Sequence, residues 1–191
     1  IIGLVEVDMG SYRTNFVNQV EVIANRLKHH HHSTNKYGKH FFACSFPILR
    51  KQANAVLTKK MIPDKNFHFF PVGFKKLIIE VIYEGIRFFL VHLSINKKIR
   101  QIQLSYLAEL AKGKGPVIVA GDFNTFSGEK ELEELQKKLG IYNSNHEKKP
   151  TFPAWKPRTQ LDFILCSQEI KIRKFRIPHV KFSDHLPLLI D

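Results

Sequence analysis

The stretch VIVAGDFNT, residues 117–125, joins an apolar, β-branched run to a glycine and two short polar side chains. Such a run indicates a buried strand, and Gly121 marks its end. Asp122 and Asn124 then stand one residue apart where the strand leaves the core. Two interpretations fit this pattern. Both side chains serve an Asx-type turn, or the strand end carries a site that needs a carboxylate and an amide.

Other chemically competent side chains also stand at the ends of apolar runs: Glu6 in IIGLVEVD, His92 in FFLVHLS, Asp162 in QLDFILCS, and Asp184 with His185 in FSDHLPLLID. Taken alone, each has an ordinary structural explanation, such as a strand-end charge, a hydrogen-bonded core histidine or a turn. Asp162 is the exception, because a carboxylate between apolar neighbours is strongly destabilising unless it has a partner. His185 is a candidate partner, since an Asp-His pair fixes the imidazole tautomer and favours its protonated form.

Together these side chains form an oxygen-rich set without a Cys/His ligand cluster, which suits Mg²⁺, or Mn²⁺, better than zinc. A cation of this kind polarises a phosphoryl oxygen while a carboxylate orients and deprotonates a water for in-line attack. The residues therefore predict hydrolysis of a phosphate ester.

The composition indicates one globular domain over residues 1–191, with 43% hydrophobic residues and 16 Phe. The formal charge of +13 favours a polyanionic partner, such as nucleic acid, an anionic lipid head group or a phosphorylated small molecule. No protein partner is implied, and a monomer is expected. No apolar run reaches the length of a membrane span, so a soluble body is expected and a cytoplasmic location is favoured. Cys44 and Cys166 lie in apolar stretches that suit reduced thiols.

Helical spacing predicts helices over residues 15–28 and 97–112, and a third that begins at Ser127 and ends just before Gly140. The segment KHHHHSTNK, residues 28–36, is predicted to be a solvated loop. Strand patterns cover residues 1–8, 40–49, 53–60, 66–74, 115–125, 160–167, 170–178 and 185–191, with a hairpin over 75–94 that turns at Glu84-Gly85. Many strands with few helices favour two sheets packed face to face over a doubly wound sheet.

The quoted segments resemble those of the endonuclease/exonuclease/phosphatase family, which contains pancreatic-type deoxyribonucleases, AP endonucleases, sphingomyelinases and inositol-polyphosphate phosphatases. The similarity runs through GLVEVD, LVHLS, VAGDFNT, RTQLDFILCS and FSDHLPLLID, in the family's order. The resemblance implies an α/β (α+β) fold, a four-layer sandwich of two packed mixed β-sheets flanked by helices, with the site at one end.

The resemblance also implies residue roles. Glu6 is the main metal-ligand candidate, and Asp184 lies beside the metal or the nucleophile. Asp122 positions or deprotonates the attacking water, and Asn124 donates to a phosphoryl oxygen. The remaining roles fall to His185, which contacts the scissile phosphate while Asp162 holds it, and to His92, which faces the phosphate or the leaving oxygen.

Two departures from the family pattern bear on function. The family carries an Asn on a strand upstream of the Glu, and we expect that first strand to be missing from residues 1–191. The segment TFPAWKPRTQLDF lacks the Gly-Trp-Arg lead-in of AP endonucleases, which disfavours abasic-site repair. In the same segment Trp155, Lys156 and Arg158 are candidate substrate contacts that grip backbone phosphates beside a stacking ring, although a packed Trp on basic surface fits equally well.

Three functions remain open from the sequence. The first is a divalent-metal-dependent phosphodiesterase or nuclease. The second is a lipid or inositol-phosphate phosphohydrolase with the same chemistry. The third is a non-catalytic basic binding module of the same fold.

Overall fold

The computed structural model describes residues 1–35 and 52–191. Its smaller sheet has the strand order β1-β3-β2, with β1 at Ile2–Asp8, β2 at His30–Asn35 and β3 at Gln52–Thr58. Both outer strands run antiparallel to β3. Within the described part of the chain, β1 is therefore an edge strand.

The larger sheet has six strands in the order β4-β5-β6-β7-β9-β8. They are β4 (Lys65–Phe69), β5 (Leu77–Tyr83), β6 (Ile86–His92), β7 (Val117–Asp122), β8 (Ile141–Asn143) and β9 (Asp162–Ser167). The pairing of β6 with β7 is parallel and the other pairings are antiparallel, so this sheet is mixed. A separate two-stranded ribbon joins β10 (Phe175–Arg176) to β11 (Leu189–Ile190).

In the described part of the chain, three α-helices accompany the sheets: α1 (Gln19–Leu27), α2 (Lys97–Ala111) and α3 (Glu133–Leu139). Short 3₁₀ turns cover Tyr12–Thr14 and Glu129–Leu132. Asn18 and Asn96 cap α1 and α2, because each side-chain oxygen accepts hydrogen bonds from two backbone N–H groups of the first turn. None of the helices among residues 1–35 and 52–191 is long and apolar enough to cross a membrane.

Alternating side chains of each strand build three apolar layers. Helix α1 packs on the smaller sheet through Val20, Ala24, Ala53, Ala55 and Leu57. The two sheets meet through Val56, Leu77, Ile79, Phe88, Leu90 and Ala120. The far face of the larger sheet packs on α2 and α3 through Phe89, Val91, Val119, Leu104, Leu107 and Leu135. The order is helix, sheet, sheet, helices, which confirms the predicted four-layer sandwich.

The predicted hairpin is confirmed. Strands β5 and β6 turn at Glu84 and Gly85, whose φ angles of 52° and 79° are those of a tight hairpin turn. The predicted loop over residues 28–36 is wrong, because His30–Asn35 pairs along β3. His30 and His31 are exposed there while His32 is buried, and four identical residues carry no hydrophobic alternation that would predict a strand.

Other boundaries differ for local reasons. Helix α1 begins after Asn18 because Asn15 and Phe16 have positive φ angles, which an α-helix excludes. The third helix starts at Glu133, after the 3₁₀ turn, and ends at Leu139, just before Gly140 as predicted. The predicted strands over 170–178 and 185–191 shorten to two residues each, and the three-residue β8 is too short to leave a pattern. The predicted strand at 40–49 and Cys44 lie outside the described residues.

Candidate active site

Three predicted site residues stand in one row across the larger sheet. His92 on β6 is the register partner of Asp122 on β7, which is in turn the partner of Asp162 on β9. Strands β6 and β7 end where the antiparallel β9 begins. Polar residues from distant segments of the chain therefore meet at one end of these three neighbouring strands. They share the strand face of Leu90 and Ala120, which points toward the smaller sheet.

The Asp122 carboxylate is held by three neighbouring donors. Its Oδ2 lies 3.1 Å from Nε2 of His92 and accepts from Nδ2 of Asn124 at 3.0 Å, while its Oδ1 accepts from the Asn124 backbone N–H at 2.9 Å. Asn124 Nδ2 also donates to the Leu93 carbonyl at 3.0 Å. The Asx-type turn is therefore present, and it fixes the orientation of a carboxylate that is only 5% exposed.

His185 reaches the row from the C-terminal segment. Its Nδ1 lies 2.8 Å from Oδ2 of Asp162, so the predicted Asp-His pair is present. The Phe152 ring packs 4.8 Å from the imidazole, centroid to centroid. The backbone of Leu186 donates to the Thr151 carbonyl at 2.9 Å, which ties the His185 segment to the loop before β9.

Burial and charge act differently on the ionisable groups of the row. Burial lowers the pKa of His92 below its ordinary value, although the bond with Asp122 opposes this effect. Burial alone would raise the pKa of Asp122, but the His92 hydrogen bond and nearby positive charges hold that pKa below its usual range. Burial also disfavours a charged His185, yet Asp162 outweighs it and raises the pKa of the imidazole. The site thus favours a neutral His92, an ionised Asp122 and a protonated His185.

Glu6 approaches from the smaller sheet. The register of β1 against β3 slips by one residue between Leu4 and Val7, and Glu6 has a φ of 57° within this bulge. Such a bulge redirects a side chain. The Glu6 carboxylate, 46% exposed, places Oε1 3.8 Å from Nδ1 of His92. That ring nitrogen is buried and has no hydrogen-bond partner among residues 1–35 and 52–191.

Asp184 stands apart from the other carboxylates. Its Oδ1 accepts from the Ser183 hydroxyl at 3.0 Å, and within residues 1–35 and 52–191 no hydrogen bond or ion pair joins it to Glu6 or Asp122. The group whose ligand atoms lie within 4.8 Å of one another is Asp122, Asp162 and His185. Asp184 acts on the row through its charge, which contributes to the raised pKa of His185.

The loop with the candidate substrate contacts lies beside His185. Its ends pair through a bridge between Phe152 and Thr159, and the Ala154 N–H donates to the Asp184 carbonyl at 2.7 Å. Trp155 is 65% exposed at the tip, and Lys156 and Arg158 are exposed too. Arg158 also borders a cavity of about 680 Å³. The loop therefore presents a ring and two cations to solvent, and Trp155 follows three positions after Phe152, whose ring contacts the imidazole.

Sequence reasoning missed Lys75, whose Nζ contacts Nε2 of His92 and lies 3.8 Å from Oε1 of Glu6. Lys75 precedes β5, and polar residues before a strand are too common to stand out. The available signal was topological. The predicted hairpin makes β5 antiparallel to β6, which brings residues just before Leu77 beside the end of β6 that carries His92.

Comparisons with known proteins agree with this architecture. The family model of the Endonuclease/Exonuclease/phosphatase family matches residues 1–185. Among solved structures, an endonuclease/exonuclease/phosphatase family protein from Leptotrichia buccalis is similar with a TM-score of 0.73 and 17% identity, over 100% of this chain and 85% of that one. No curated protein matches the chain.

Two further similar structures carry functional descriptions of their own. A 3′ phosphatase from Neisseria, bound to a product DNA hairpin, has a TM-score of 0.68 and 12% identity over 99% of this chain and 88% of that one. A mannosyl-6-phosphatase from Bacteroides thetaiotaomicron has a TM-score of 0.67 and 17% identity over 91% and 80% of the two chains. At these identities the structures establish a shared fold. With the family model covering nearly the whole chain, the protein belongs to the Endonuclease/Exonuclease/phosphatase family and is a phosphoesterase hydrolase.

Proposed function

We propose that this phosphoesterase is a divalent-metal-dependent phosphodiesterase that acts on nucleic acid by attack of water on phosphorus. The observation that carries the proposal is the row His92, Asp122 and Asp162, closed by His185. It places an ionised carboxylate and a protonated imidazole at one strand edge, with atoms of Asp122, Asp162 and His185 within 4.8 Å of one another. An anionic group that accepts a proton and a cationic group that faces phosphoryl oxygens are the two requirements of this reaction.

The residues around Glu6 fit a hard divalent cation. Glu6 offers a partly exposed carboxylate, and the unpartnered Nδ1 of His92 faces it at 3.8 Å. A buried nitrogen without a partner is unusual, and a cation or its water would satisfy it. Glu6 is a better candidate ligand than the Asp122, Asp162 and His185 group, where Nδ1 of the imidazole is already hydrogen-bonded. Mg²⁺ or Mn²⁺ held there would reduce the negative charge on the phosphoryl oxygens.

In the proposed reaction Asp122 orients a water molecule toward phosphorus and takes its proton as the new O–P bond forms. The ester O–P bond breaks on the opposite side, and the leaving oxygen is protonated by solvent. His185, kept cationic and in one orientation by Asp162, donates a hydrogen bond to a phosphoryl oxygen. His92 donates to Asp122 from Nε2, which keeps that carboxylate ionised.

We propose for Asn124 a different role from the one that the family resemblance implies. Its Nδ2 donates to Asp122 and to the Leu93 carbonyl, so this amide is engaged within the protein. We therefore assign Asn124 to positioning Asp122 rather than to contacting the phosphoryl group. Among the described residues, the side chain of Asp184 has a hydrogen bond with Ser183 and none with Glu6 or Asp122, and we assign it an electrostatic effect on His185.

Nucleic acid is the favoured substrate on charge and surface chemistry. The formal charge of +13 supplies a field for a polyanion. Trp155, Lys156 and Arg158 combine an exposed ring with two cations beside the site, and such pairs grip bases and backbone phosphates.

The test compares hydrolysis of an oligonucleotide, sphingomyelin, a phosphoinositide and a generic phosphodiester, each with Mg²⁺, Mn²⁺ or EDTA. Asp122→Asn is expected to reduce kcat by about 10²- to 10⁴-fold, the range for loss of an acid-base group. Asp64→Asn is the matched control, since this exposed carboxylate precedes β4 and lies outside the row. Preference for sphingomyelin or phosphoinositide would overturn the nucleic-acid assignment. Turnover that survives Asp122→Asn combined with His185→Ala would overturn the site, and nucleic-acid binding without turnover would favour a binding module.

A further inference from the structure

Lys75 places a positive charge inside the candidate site. It lies just before β5, and the antiparallel pairing of β5 with β6 brings this point beside His92. Its Nζ contacts Nε2 of His92 and lies 3.8 Å from Oε1 of Glu6. Its charge also lowers the pKa of Asp122. The side chain is only 22% exposed, so the ammonium faces the site rather than bulk solvent.

A buried amide fixes the backbone of Lys75. Gln103, on α2, is fully buried, and its Nε2 donates to the carbonyls of Val72 at 3.1 Å and of Lys75 at 3.0 Å. Its Oε1 accepts from the Ser94 N–H at 2.8 Å, two residues after His92. One side chain thus ties the Lys75 segment to the chain that carries His92.

Gly73 allows this segment to approach Gln103 closely. Its φ is 93°, and a Cβ at this position would lie 2.9 Å from Nε2 of Gln103. Only glycine adopts such a conformation readily while leaving this space free. The sequence around Lys75 is thus suited to holding one cation at a set distance from His92.

The chemistry of an ammonium group restricts what Lys75 does there. It donates hydrogen bonds and accepts none, and it is a compact point charge suited to phosphate oxygens. Nε2 of His92 cannot accept from Lys75 and donate to Asp122 at the same time. An anionic group that drew the ammonium away would free His92 to donate to Asp122.

We propose that Lys75 is a further catalytic residue of this site, whose ammonium contacts a non-bridging oxygen of the scissile phosphate. This inference rests on the proposed phosphodiesterase function. As the O–P bond to water forms and the ester O–P bond breaks, the ammonium offsets charge on the phosphoryl oxygens, and no proton passes to or from Lys75. The same charge repels a divalent cation at Glu6, so loss of the charge has opposite effects on turnover and on metal affinity.

The experiment compares Lys75→Met with Lys76→Met. The neighbouring Lys76 carries the same charge, but its Nζ donates to the Pro71 carbonyl, away from the row. Lys75→Met is expected to lower kcat on a generic phosphodiester by about 10²-fold, as for loss of one group that stabilises transition-state charge. It is also expected to bind Mn²⁺ about threefold more tightly, measured by calorimetry without substrate, because a neighbouring positive charge is gone. Lys76→Met is expected to change neither quantity.

Two further variants keep the test decisive. Lys75→Arg keeps the charge, and it is expected to retain wild-type Mn²⁺ affinity and more turnover than Lys75→Met. Lys75→Gln replaces Lys75→Met if circular dichroism shows that the methionine variant is unfolded. A purely structural Lys75 would lose turnover and metal affinity together, and that result, or unchanged kcat in Lys75→Met, would overturn the proposal. If the wild-type protein hydrolyses no phosphate ester, the proposed function fails by itself, while the Mn²⁺ comparison still tests the charge of Lys75 at Glu6.

Discussion

Nδ1 of His185 lies 2.8 Å from Oδ2 of Asp162, although the two residues are 23 positions apart in the chain. The bond fixes which ring nitrogen faces the site and stabilises the cationic imidazole. The Phe152 ring, tilted against the imidazole, and the backbone bond from Leu186 to Thr151 hold the same segment. His185 is therefore oriented by the loop that also carries Trp155.

Asp162→Asn is expected to reduce kcat by about 10²- to 10⁴-fold, because an amide orients the imidazole but no longer stabilises its charge. The pKa of His185 should fall, since Asp162 is the partner that raises it. Steady-state kinetics and an NMR titration of the imidazole measure the two effects. Asp64→Asn serves as control, and an unchanged His185 pKa in Asp162→Asn would contradict the assigned pairing.

Gly121→Ala is expected to destabilise the fold by about 3 kcal/mol or more, through steric overlap added to backbone strain. A Cβ at Gly121 would lie 1.9 Å from the Val91 carbonyl oxygen, in the register row next to His92. Gly115→Ala is the matched control, since Gly115 also has a positive φ but has nothing within 4 Å of its would-be Cβ. Urea unfolding measures the free energy of unfolding of both variants. Equal losses of stability would mean that backbone strain alone accounts for the effect of Gly121→Ala.

Glu131→Gln is expected to destabilise the protein by about 3–5 kcal/mol, the range for breaking a buried ion pair. Arg100 is 1% exposed, and its Nη2 lies 2.7 Å from Oε2 of Glu131. The same guanidinium donates to the carbonyls of Ser94 and Ile95 after β6, so loosening it should lower activity as well.

Thermal unfolding and kinetics of Glu131→Gln test both parts of this expectation. Glu134→Gln is the control, because Glu134 and its partner Lys138 form an exposed surface pair. A melting temperature of Glu131→Gln equal to that of the control would show that the buried pair does not stabilise the fold.

Glu80 should make stability depend on pH in the acid range. Its Oε2 lies 2.8 Å from Nε2 of His68, and its Oε1 lies 2.8 Å from Nη2 of Arg87. Burial opposes ionisation, but these two partners outweigh it and hold the pKa of Glu80 below its ordinary 4.5. A carboxyl group whose pKa is lowered by folding stabilises the native state above its unfolded pKa, and this contribution disappears as the pH falls through the folded pKa.

The difference in unfolding free energy between wild type and Glu80→Gln should therefore be largest near about pH 6 and shrink toward about pH 3. Denaturant unfolding across this pH range measures the difference. The contributions of other carboxyl groups to the unfolding free energy are the same in both proteins and cancel. A difference that stays constant with pH would show that the variant acts through packing alone.

Local patterns were enough to predict much of the fold. The β5–β6 hairpin, helix α2 and strand β7 follow from alternation, helical spacing and turn residues close together in the chain. The predictions failed where local signals were absent or misleading. Strand β2 was not predicted because consecutive identical histidines give no alternating pattern, and β8 was not predicted because it has only three residues. Helix α1 begins later than predicted because Asn15 and Phe16 have positive φ angles.

For the candidate site, too, the residue types could be predicted from local sequence, but their spatial arrangement could not. Strand-end positions predicted Glu6, His92, Asp122, Asp162 and His185 as site residues by residue type. Nothing local indicated that His92, Asp122 and Asp162 would share one register row, or that Glu6 would be redirected by a bulge. Lys75 and Gln103 carried no signal in their local sequence, because their roles depend on contacts with distant segments.

The sequence by itself determined which side chains stand at strand ends, and hence the chemistry of carboxylates and imidazoles with a phosphate ester. Only the tertiary structure decided which of them are neighbours and that an ammonium lies among them. The physical reason is that pairing of distant strands is selected by burial and hydrogen bonding summed over whole sheets. Residue types and local propensities do not contain that sum, so the row from His92 to Asp162 emerges only when β6, β7 and β9 are packed together.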